Sequence, residues 1–383
     1  MIFWFTPVGI GTLIFSSFFI LGLTGDEGQV HHYFTTLWFL FLFLLGGLLG
    51  YEKAYFNFLY HGGLTRSNPL HYLEKIFIFI FIVCAFVAFM RILQIIVFLT
   101  QGLSLREVER VVRFGGVVGS ILVQIMPIIG FALLLSSRGR LFVIISLLCL
   151  MGAFAIPIKT HVIASLVLIS VAIWCKDIDT KYKYMLIVLP VFLLFSLLFA
   201  VNLLRGHDQS DFDFLLLIRH YTSFNIGNLA LEIENVGVLA YTYGIHTFSQ
   251  IIDLWSFLLT GERFIDREIG NSGLNSVVDG RVLIRVVEGV NMSTSVTPWL
   301  WDFGLIGAPL FSFLYGYILN KFTSFAIKYG FKLLIGVFYL CGVFFFWDFD
   351  LFETRFQFIY IISLIVMPIV FQKIKFSSVN IYK

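Results

Sequence analysis

The sequence predicts an all-α polytopic membrane protein with about ten transmembrane helices and one large outer loop of surface helices. Its 383 residues are 59% hydrophobic and only 13% charged, and the mean hydropathy is +0.94. A soluble fold of this size could not bury so many apolar side chains, so lipid must be the solvent for most of the chain. Apolar runs recur along the sequence, and one connection between them is far longer than the rest.

A helix needs about 20 apolar residues to cross a hydrocarbon core, and ten stretches are candidates. They are residues 2–23, 32–50, 76–99, 114–136, 141–157, 160–175, 184–204, 298–320, 333–348 and 356–371. The fifth and sixth are short, which predicts a bent hairpin. The chain thus divides into transmembrane helices one to seven, a large loop, and transmembrane helices eight to ten with a tail: residues 1–204, 205–297 and 298–383.

Capping signals precede several of these helices. Ser104 with Glu107 forms a capping box, so the amphipathic stretch SLREVERVVRF is predicted to continue as helix into the fourth span. Thr297 before Pro298 is a cap followed by a first-turn proline, which predicts the start of the eighth span.

The basic residues of the short connections predict the orientation in the membrane. Of the 12 lysines, 11 lie after the second, sixth and eighth spans or in the tail, and the exception is Lys159. Short cytoplasmic loops carry such an excess of positive charge, so both termini are predicted to be cytoplasmic and the large loop to lie outside. The net charge of only +3 argues against a nucleic-acid partner.

The large loop has the pattern of surface helices. Apolar residues recur at near-helical spacing in DFDFLLLIRHYTSFNIGNLALEIENV and in HTFSQIIDLWSFLL, which predicts two helices on or in the membrane surface. The stretch DGRVLIRVVEG alternates apolar and basic positions around Asp279-Gly280, which predicts a short hairpin.

The same loop contains six arginines and no lysine. Arginine binds phosphate through a planar fork and keeps its charge at every physiological pH. Arg281 and Arg285 are candidate ligands for a phosphate group, with ion pairing to Asp279 and Glu288 as the alternative. Arg205 is a third candidate, with snorkelling at the lipid interface as the alternative.

Three consecutive residues of the loop suit a sugar phosphate. Arg219 supplies a cation, His220 a titratable base and Tyr221 a ring on which a sugar can stack. We expect this cluster to bind substrate.

Two further cations lie inside or between spans. Arg91 falls about eight residues inside the outer end of the third span, at a depth of about 12 Å by helix rise. A charge at that depth usually faces a cavity or a partner. Lys159, in the turn between the fifth and sixth spans, is predicted to contact lipid or substrate headgroups, with interfacial anchoring as the alternative.

Polar residues cluster at the predicted N-terminal end of the eighth span. Asn291 and Thr294 are expected to order the loop there, and the capped helix end presents N–H groups to an anion or a sugar hydroxyl. Asp302 follows within two turns and is expected either to accept a proton or to hold an arginine in place. The four cysteines have no metal-ligand spacing, and no metal or cofactor is predicted.

Two segments carry a resemblance to a known family: RHYTSFNIGNLALEIENVGVLAYTYGIHTFSQI and, about forty residues later, NMSTSVTPWLWDFGLIG. With the number of spans and the single late outer loop, they resemble the bacterial oligosaccharide repeat-unit polymerases, the Wzy-type O-antigen polymerases. Lys159 departs from the family, in which many members have arginine in that turn, so the resemblance does not extend to a bidentate contact there.

The resemblance implies a metal-independent C-type membrane glycosyltransferase of lipopolysaccharide biosynthesis in the bacterial inner membrane, with its large loop periplasmic. It implies transfer of a growing glycan from undecaprenyl pyrophosphate to the non-reducing end of another lipid-linked repeat unit. His220 and Asp302 are then the candidate bases, and the cations bind pyrophosphate. The implied partners are the lipid-linked oligosaccharide, membrane lipid and a chain-length regulator protein.

Three other classes of membrane protein remain open. An O-antigen ligase shares this architecture and chemistry. A polyprenyl-phosphate-sugar transferase would use acids in the first outer loop, where Asp26 and Glu27 lie, but that loop is short. A lipid-linked oligosaccharide flippase or other transporter would have two similar halves and buried charges in many spans, and the sequence has neither pattern.

Overall fold

The structure is a computed structural model, and the part of the chain that it describes is entirely helical apart from turns. The described residues are 2–23, 30–61, 71–103, 108, 112, 116–156, 159–176, 244, 247–261, 296–345, 351 and 356–365. After a 3₁₀ turn at Ile2–Phe5, the helices are α1 (Pro7–Leu23), α2 (Val30–Leu49), α3 (Ala54–His61), α4 (His71–Thr100), α5 (Gly116–Ser136), α6 (Gly139–Phe154), α7 (Lys159–Trp174), α8 (Ser249–Thr260), α9 (Thr297–Tyr329), α10 (Lys332–Val343) and α11 (Phe356–Ile365). The all-α prediction is confirmed for these residues.

In the described part of the chain, three helical segments are long and apolar enough to cross a membrane. They are Lys75–Thr100 in α4, Val118–Ser136 in α5 and Asp302–Tyr329 in α9. Shorter apolar helices coincide with six other predicted spans, and the predicted span 184–204 lies outside the described residues. The figure of about ten spans therefore stays a prediction.

The chain forms two compact units, and each is built from separate stretches of sequence. The first comprises the described parts of Met1–Glu52, Asp213–Ser324 and Phe338–Phe358. The second comprises those of Lys53–Phe212, Phe325–Val337 and Ile359–Lys383. Helices α1, α2, α8 and most of α9 thus belong to the first unit, and α3 to α7 to the second.

In the first unit, α2 and α9 touch backbone to backbone. A Cβ added at Gly46 would lie 2.0 Å from the carbonyl oxygen of Phe313, and one at Gly316 would lie 2.3 Å from that of Phe43. Only glycine permits so close an approach, which is common where membrane helices pack. Ser312 adds a hydrogen bond of 3.0 Å from its Oγ to a carbonyl of α2. These contacts fix the position of the α9 segment that leads to the candidate site.

A buried asparagine joins three helices of this unit. Asn320 of α9 donates from Nδ2 to the carbonyl of Gly47 in α2 at 2.9 Å and to Oγ1 of Thr6 at 3.3 Å. Thr6 in turn accepts the N–H of Gly9 at the start of α1, at 3.1 Å. An unsatisfied buried amide would cost about 1–3 kcal/mol, so this network favours one arrangement of α1, α2 and α9.

In the second unit, the predicted continuous helix into the fourth span is wrong. Val108 is helical, but Val112 lies outside any helix, and α5 starts only at Gly116. Gly116 has a φ of 59°, a left-handed conformation that interrupts a right-handed helix. Ser104 and Glu107, the proposed capping box, lie outside the described residues.

Candidate functional site

Helix α9 is broken seven residues after it begins. Within Thr297–Tyr329, Gly304 has φ 66° and ψ −173°, a conformation that is essentially restricted to glycine. The helix therefore consists of a short segment, residues 297–303, and a long one, residues 305–329. A break of this kind frees backbone groups from helical hydrogen bonds, and interrupted membrane helices form binding sites in many transporters.

The start of α9 lies one residue earlier than predicted. The carbonyl of Val296 accepts the first helical hydrogen bond, from the N–H of Leu300 at 3.0 Å. Val296 therefore takes the cap position, and Thr297 is the first helical residue.

Asp302 lies at the break and is buried, with 1% of its surface exposed. Its Oδ2 accepts a hydrogen bond from the backbone N–H of Thr247 at 2.6 Å. Thr247 is also buried, with 3% exposed, and belongs to the predicted outer loop. A hydrogen bond to a carboxylate is stronger than one between neutral groups. The hydrogen bond therefore attaches a part of this loop to the N-terminal segment of α9.

Thr247 is positioned by the turn that leads into α8. Gly244, with φ 93°, begins the turn, and its carbonyl accepts the N–H of Phe248 at 2.9 Å. Helix α8 itself confirms the prediction of a helix in HTFSQIIDLWSFLL. Its Trp255, Leu258 and Leu259 are exposed, Leu259 to 81%. An apolar exposed face is typical of a helix that lies on a membrane surface.

An aromatic cluster supports the short segment of α9. The ring of Trp299 lies 4.9 Å from that of Phe311, 5.0 Å from that of Tyr315 and 5.3 Å from that of Phe345. The Tyr315 hydroxyl accepts the N–H of Leu351 at 3.1 Å. Aromatic pairs at these separations add stability beyond that expected from the apolar area they bury. The short helical segment that carries Asp302 is therefore held in place by this cluster.

Two buried polar atoms near Asp302 have no hydrogen-bond partner in the described part of the chain. They are Oγ1 of Thr247 and Nε1 of Trp299. Trp299 precedes Asp302 by three residues, so the two lie on the same face of the short helix. A native fold rarely leaves such atoms unpaired. Each can donate a hydrogen bond, so the site combines a carboxylate with two donors that are unpaired in the described part of the chain.

Arg91 is the second predicted site residue whose contacts are visible. It is buried in α4, and its Nη2 donates to the carbonyl of Gly116 at 3.2 Å and to Oγ of Ser120 at 2.8 Å. These bonds hold the start of α5 against α4. The partner of this cation therefore includes the first turn of a neighbouring helix in the second unit.

For the remaining predicted site residues, the side chain or the whole residue lies outside the described part of the chain. Lys159 is the first residue of α7, and its side chain is not among those described. The others lie outside the described residues; they are Arg205, Arg219, His220, Tyr221, Arg281, Arg285, Asn291 and Thr294. Within the described part, no group of three His, Cys, Asp or Glu side chains could hold a metal ion.

Sequence reasoning missed Thr247 and Trp299. Thr247 is 55 residues from Asp302 in the chain, and no local pattern links the two. Trp299 gave no usable signal, because aromatic residues are common at the ends of membrane helices and an indole there does not distinguish a binding site from an interfacial anchor.

No protein-family model, curated protein or solved structure matches this chain.

Proposed function

We propose that this chain is a membrane glycan polymerase of the Wzy type. It transfers a growing glycan from undecaprenyl pyrophosphate to the non-reducing end of another lipid-linked repeat unit. One observation carries the proposal. The resemblance rests on two segments, residues 219–251 and 291–307, and the hydrogen bond from Thr247 to Asp302 joins the first to the second.

Asp302 is the proposed general base. The acceptor hydroxyl oxygen attacks the anomeric carbon of the donor sugar, and the hydroxyl proton passes to the Asp302 carboxylate. The bond from that carbon to the pyrophosphate oxygen breaks, and its electron pair leaves with undecaprenyl pyrophosphate. A positioned base contributes about 10²–10⁴-fold to such a reaction. His220 is the alternative base.

Two donors of the site, which are unpaired in the described part of the chain, give the acceptor sugar its orientation. In this proposal the hydroxyl of Thr247 and the indole N–H of Trp299 donate to sugar hydroxyls. Because Asp302 is 1% exposed, the acceptor reaches it only after the segment that carries Thr247 moves away. Opening and closing of such loops often controls substrate entry in enzymes.

Cations neutralise the leaving group without a metal ion. We assign this role to the arginines of the large loop, above all Arg219, Arg281 and Arg285. Their planar forks match the oxygens of a pyrophosphate, and fixed positive charge stabilises the charge that develops as the bond breaks.

The proposed setting is the bacterial inner membrane, with about ten spans, both termini cytoplasmic and the large loop periplasmic. Its support is the lysine asymmetry of the sequence, the three helices of spanning length and the apolar exposed face of α8.

The surface glycan of a deletion strain of the source bacterium tests the function. Loss of a polymerase leaves a single repeat unit on the lipid core, and the wild-type gene restores the full ladder of chain lengths. Accumulation of long polymer on undecaprenyl pyrophosphate would instead show a ligase. Absence of any outer-face repeat unit, with lipid-linked units retained inside, would show a flippase.

A further inference from the structure

Three connections of the second unit bring cations together at one end of its helices. Lys176 follows α7 and donates from Nζ to the carbonyls of Leu135 and Ser137, at 3.1 Å and 2.7 Å. These acceptors end α5, so Lys176 lies beside Arg138, the residue after Ser137. Its ammonium also lies 5.4 Å from the ring centroid of Phe142 in the first turn of α6.

Lys332 approaches the same place from α10. One turn after it, Gly336 packs on α5, where an added Cβ would lie 3.0 Å from Phe131. Lys332 is buried, and its positive charge acts electrostatically on Lys176. Burial lowers the pKa of Lys176 to about 8; nearby Cys175 opposes the shift, whereas the positive charges of Arg138 and Lys332 add to it. Like charges this close repel one another, so the arrangement favours an anion.

Arg138 is available to such an anion, and Lys176, although it donates to two carbonyls, adds its positive charge beside it. Among the described residues neither pairs with a carboxylate. Arg138 stands before α6 without a side-chain hydrogen bond to that helix, and both Arg138 and Arg140 are exposed. Asp177 and Asp179, which follow Lys176 in sequence, lie outside the described residues.

The surface next to these cations is apolar. Four side chains of α6 that follow Arg140 are each 53–60% exposed; they are Leu141, Val143, Ile144 and Leu147. A soluble anion would gain nothing from this face, whereas the acyl chains of a lipid would cover it. Basic clusters at the ends of transmembrane helices are known to attract anionic headgroups.

We propose that Arg138, Arg140 and Lys176, with Lys332 behind them, bind the phosphate of an anionic phospholipid whose acyl chains lie along α6. The arginine forks hold phosphate oxygens, and Lys176 supplies a charge at the end of α5. This site lies in the second unit and does not depend on the proposed polymerase activity.

Native mass spectrometry of the full chain in detergent tests the site with three probes: phosphatidylglycerol, phosphatidylcholine and inorganic phosphate. We expect wild type to retain phosphatidylglycerol at least about tenfold more tightly than phosphatidylcholine. The double variant Arg138→Gln with Lys176→Gln should lose most of that preference, because glutamine keeps a hydrogen-bond donor but removes the charge. The preference should also fall as pH rises through 8 and Lys176 loses its proton, and Lys176→Arg should keep it constant.

The matched control is Lys53→Gln with Lys75→Gln, which removes two exposed charges elsewhere in the same unit. Equal loss in this control would overturn the site, because net charge alone would then explain binding. Equal retention of phosphatidylcholine would overturn it as well. Displacement of phosphatidylglycerol by millimolar inorganic phosphate would overturn the lipid assignment in favour of a site for free phosphate.

Discussion

At the scale of single residues, the candidate site depends on what surrounds the Asp302 carboxylate. One oxygen accepts the Thr247 N–H, and two buried donors nearby are unpaired in the described part of the chain. A buried donor without a partner costs about 1–3 kcal/mol. When a hydroxyl of a sugar substrate accepts the hydrogen bond, this cost is removed, and the effect on substrate binding can be measured.

Thr247→Val removes the hydroxyl and keeps the backbone N–H that Asp302 accepts. We expect the variant to be as stable as wild type or more stable, because an unpaired buried hydroxyl is lost. Its KM for the acceptor repeat unit should rise about tenfold with kcat nearly unchanged, as for a group that binds substrate and transition state equally. Thermal unfolding and steady-state kinetics check both parts, and an unchanged KM would remove this hydroxyl from the site.

The loop arginines make a second prediction at this scale. Replacing Arg281 and Arg285 together by lysine should reduce polymerisation at least about tenfold, since a point charge does not replace a bidentate fork. Arg263→Lys with Arg267→Lys is the control, because the acidic neighbours of these arginines predict ion pairs there. Full activity of the first pair in a glycan-ladder assay would exclude both residues from the pyrophosphate site.

At the scale of helices, the break in α9 is the feature that sets Asp302 apart from an ordinary transmembrane carboxylate. Gly304→Ala forces an L-residue into φ 66° and ψ −173°, which costs about 1–3 kcal/mol. Gly102→Ala is a matched control, because Gly102 has φ 84°, has open space around it and lies in the other unit. We expect both variants to unfold at lower temperature, but only Gly304→Ala to lose most of its turnover.

The helices also show which predictions local sequence can support. The start of α9 was predicted to within one residue, because a cap and a first-turn proline act locally. The break at Gly304 was not predicted, since nothing in DFGLIG distinguishes a glycine that packs from one with positive φ. The contact between Thr247 and Asp302 was not predictable either, because a bond between residues 55 apart depends on the whole fold. The prediction of a continuous helix before α5 was wrong, because Val112 lies outside any helix and Gly116 has a left-handed conformation that interrupts a right-handed helix.

At the scale of the whole molecule, topology is the property that the function requires most. In a variant whose four buried cysteines are replaced by alanine, Ser210→Cys reports on the large loop. We expect an impermeant maleimide to label this residue in intact spheroplasts. Ser378→Cys in the tail should react only after permeabilisation. Protection at residue 210 would reverse the predicted orientation and with it the periplasmic site.

The most direct measurement is the turnover of purified Asp302→Asn on lipid-linked repeat units, compared with wild type. Asparagine keeps an oxygen that can accept the Thr247 N–H but cannot take up the proton of a sugar hydroxyl. A melting temperature close to that of wild type would show that the loop is still attached. We expect turnover to fall about 10²–10⁴-fold. A loss of only a few fold would contradict the role of Asp302 as the base and would leave His220 as the candidate.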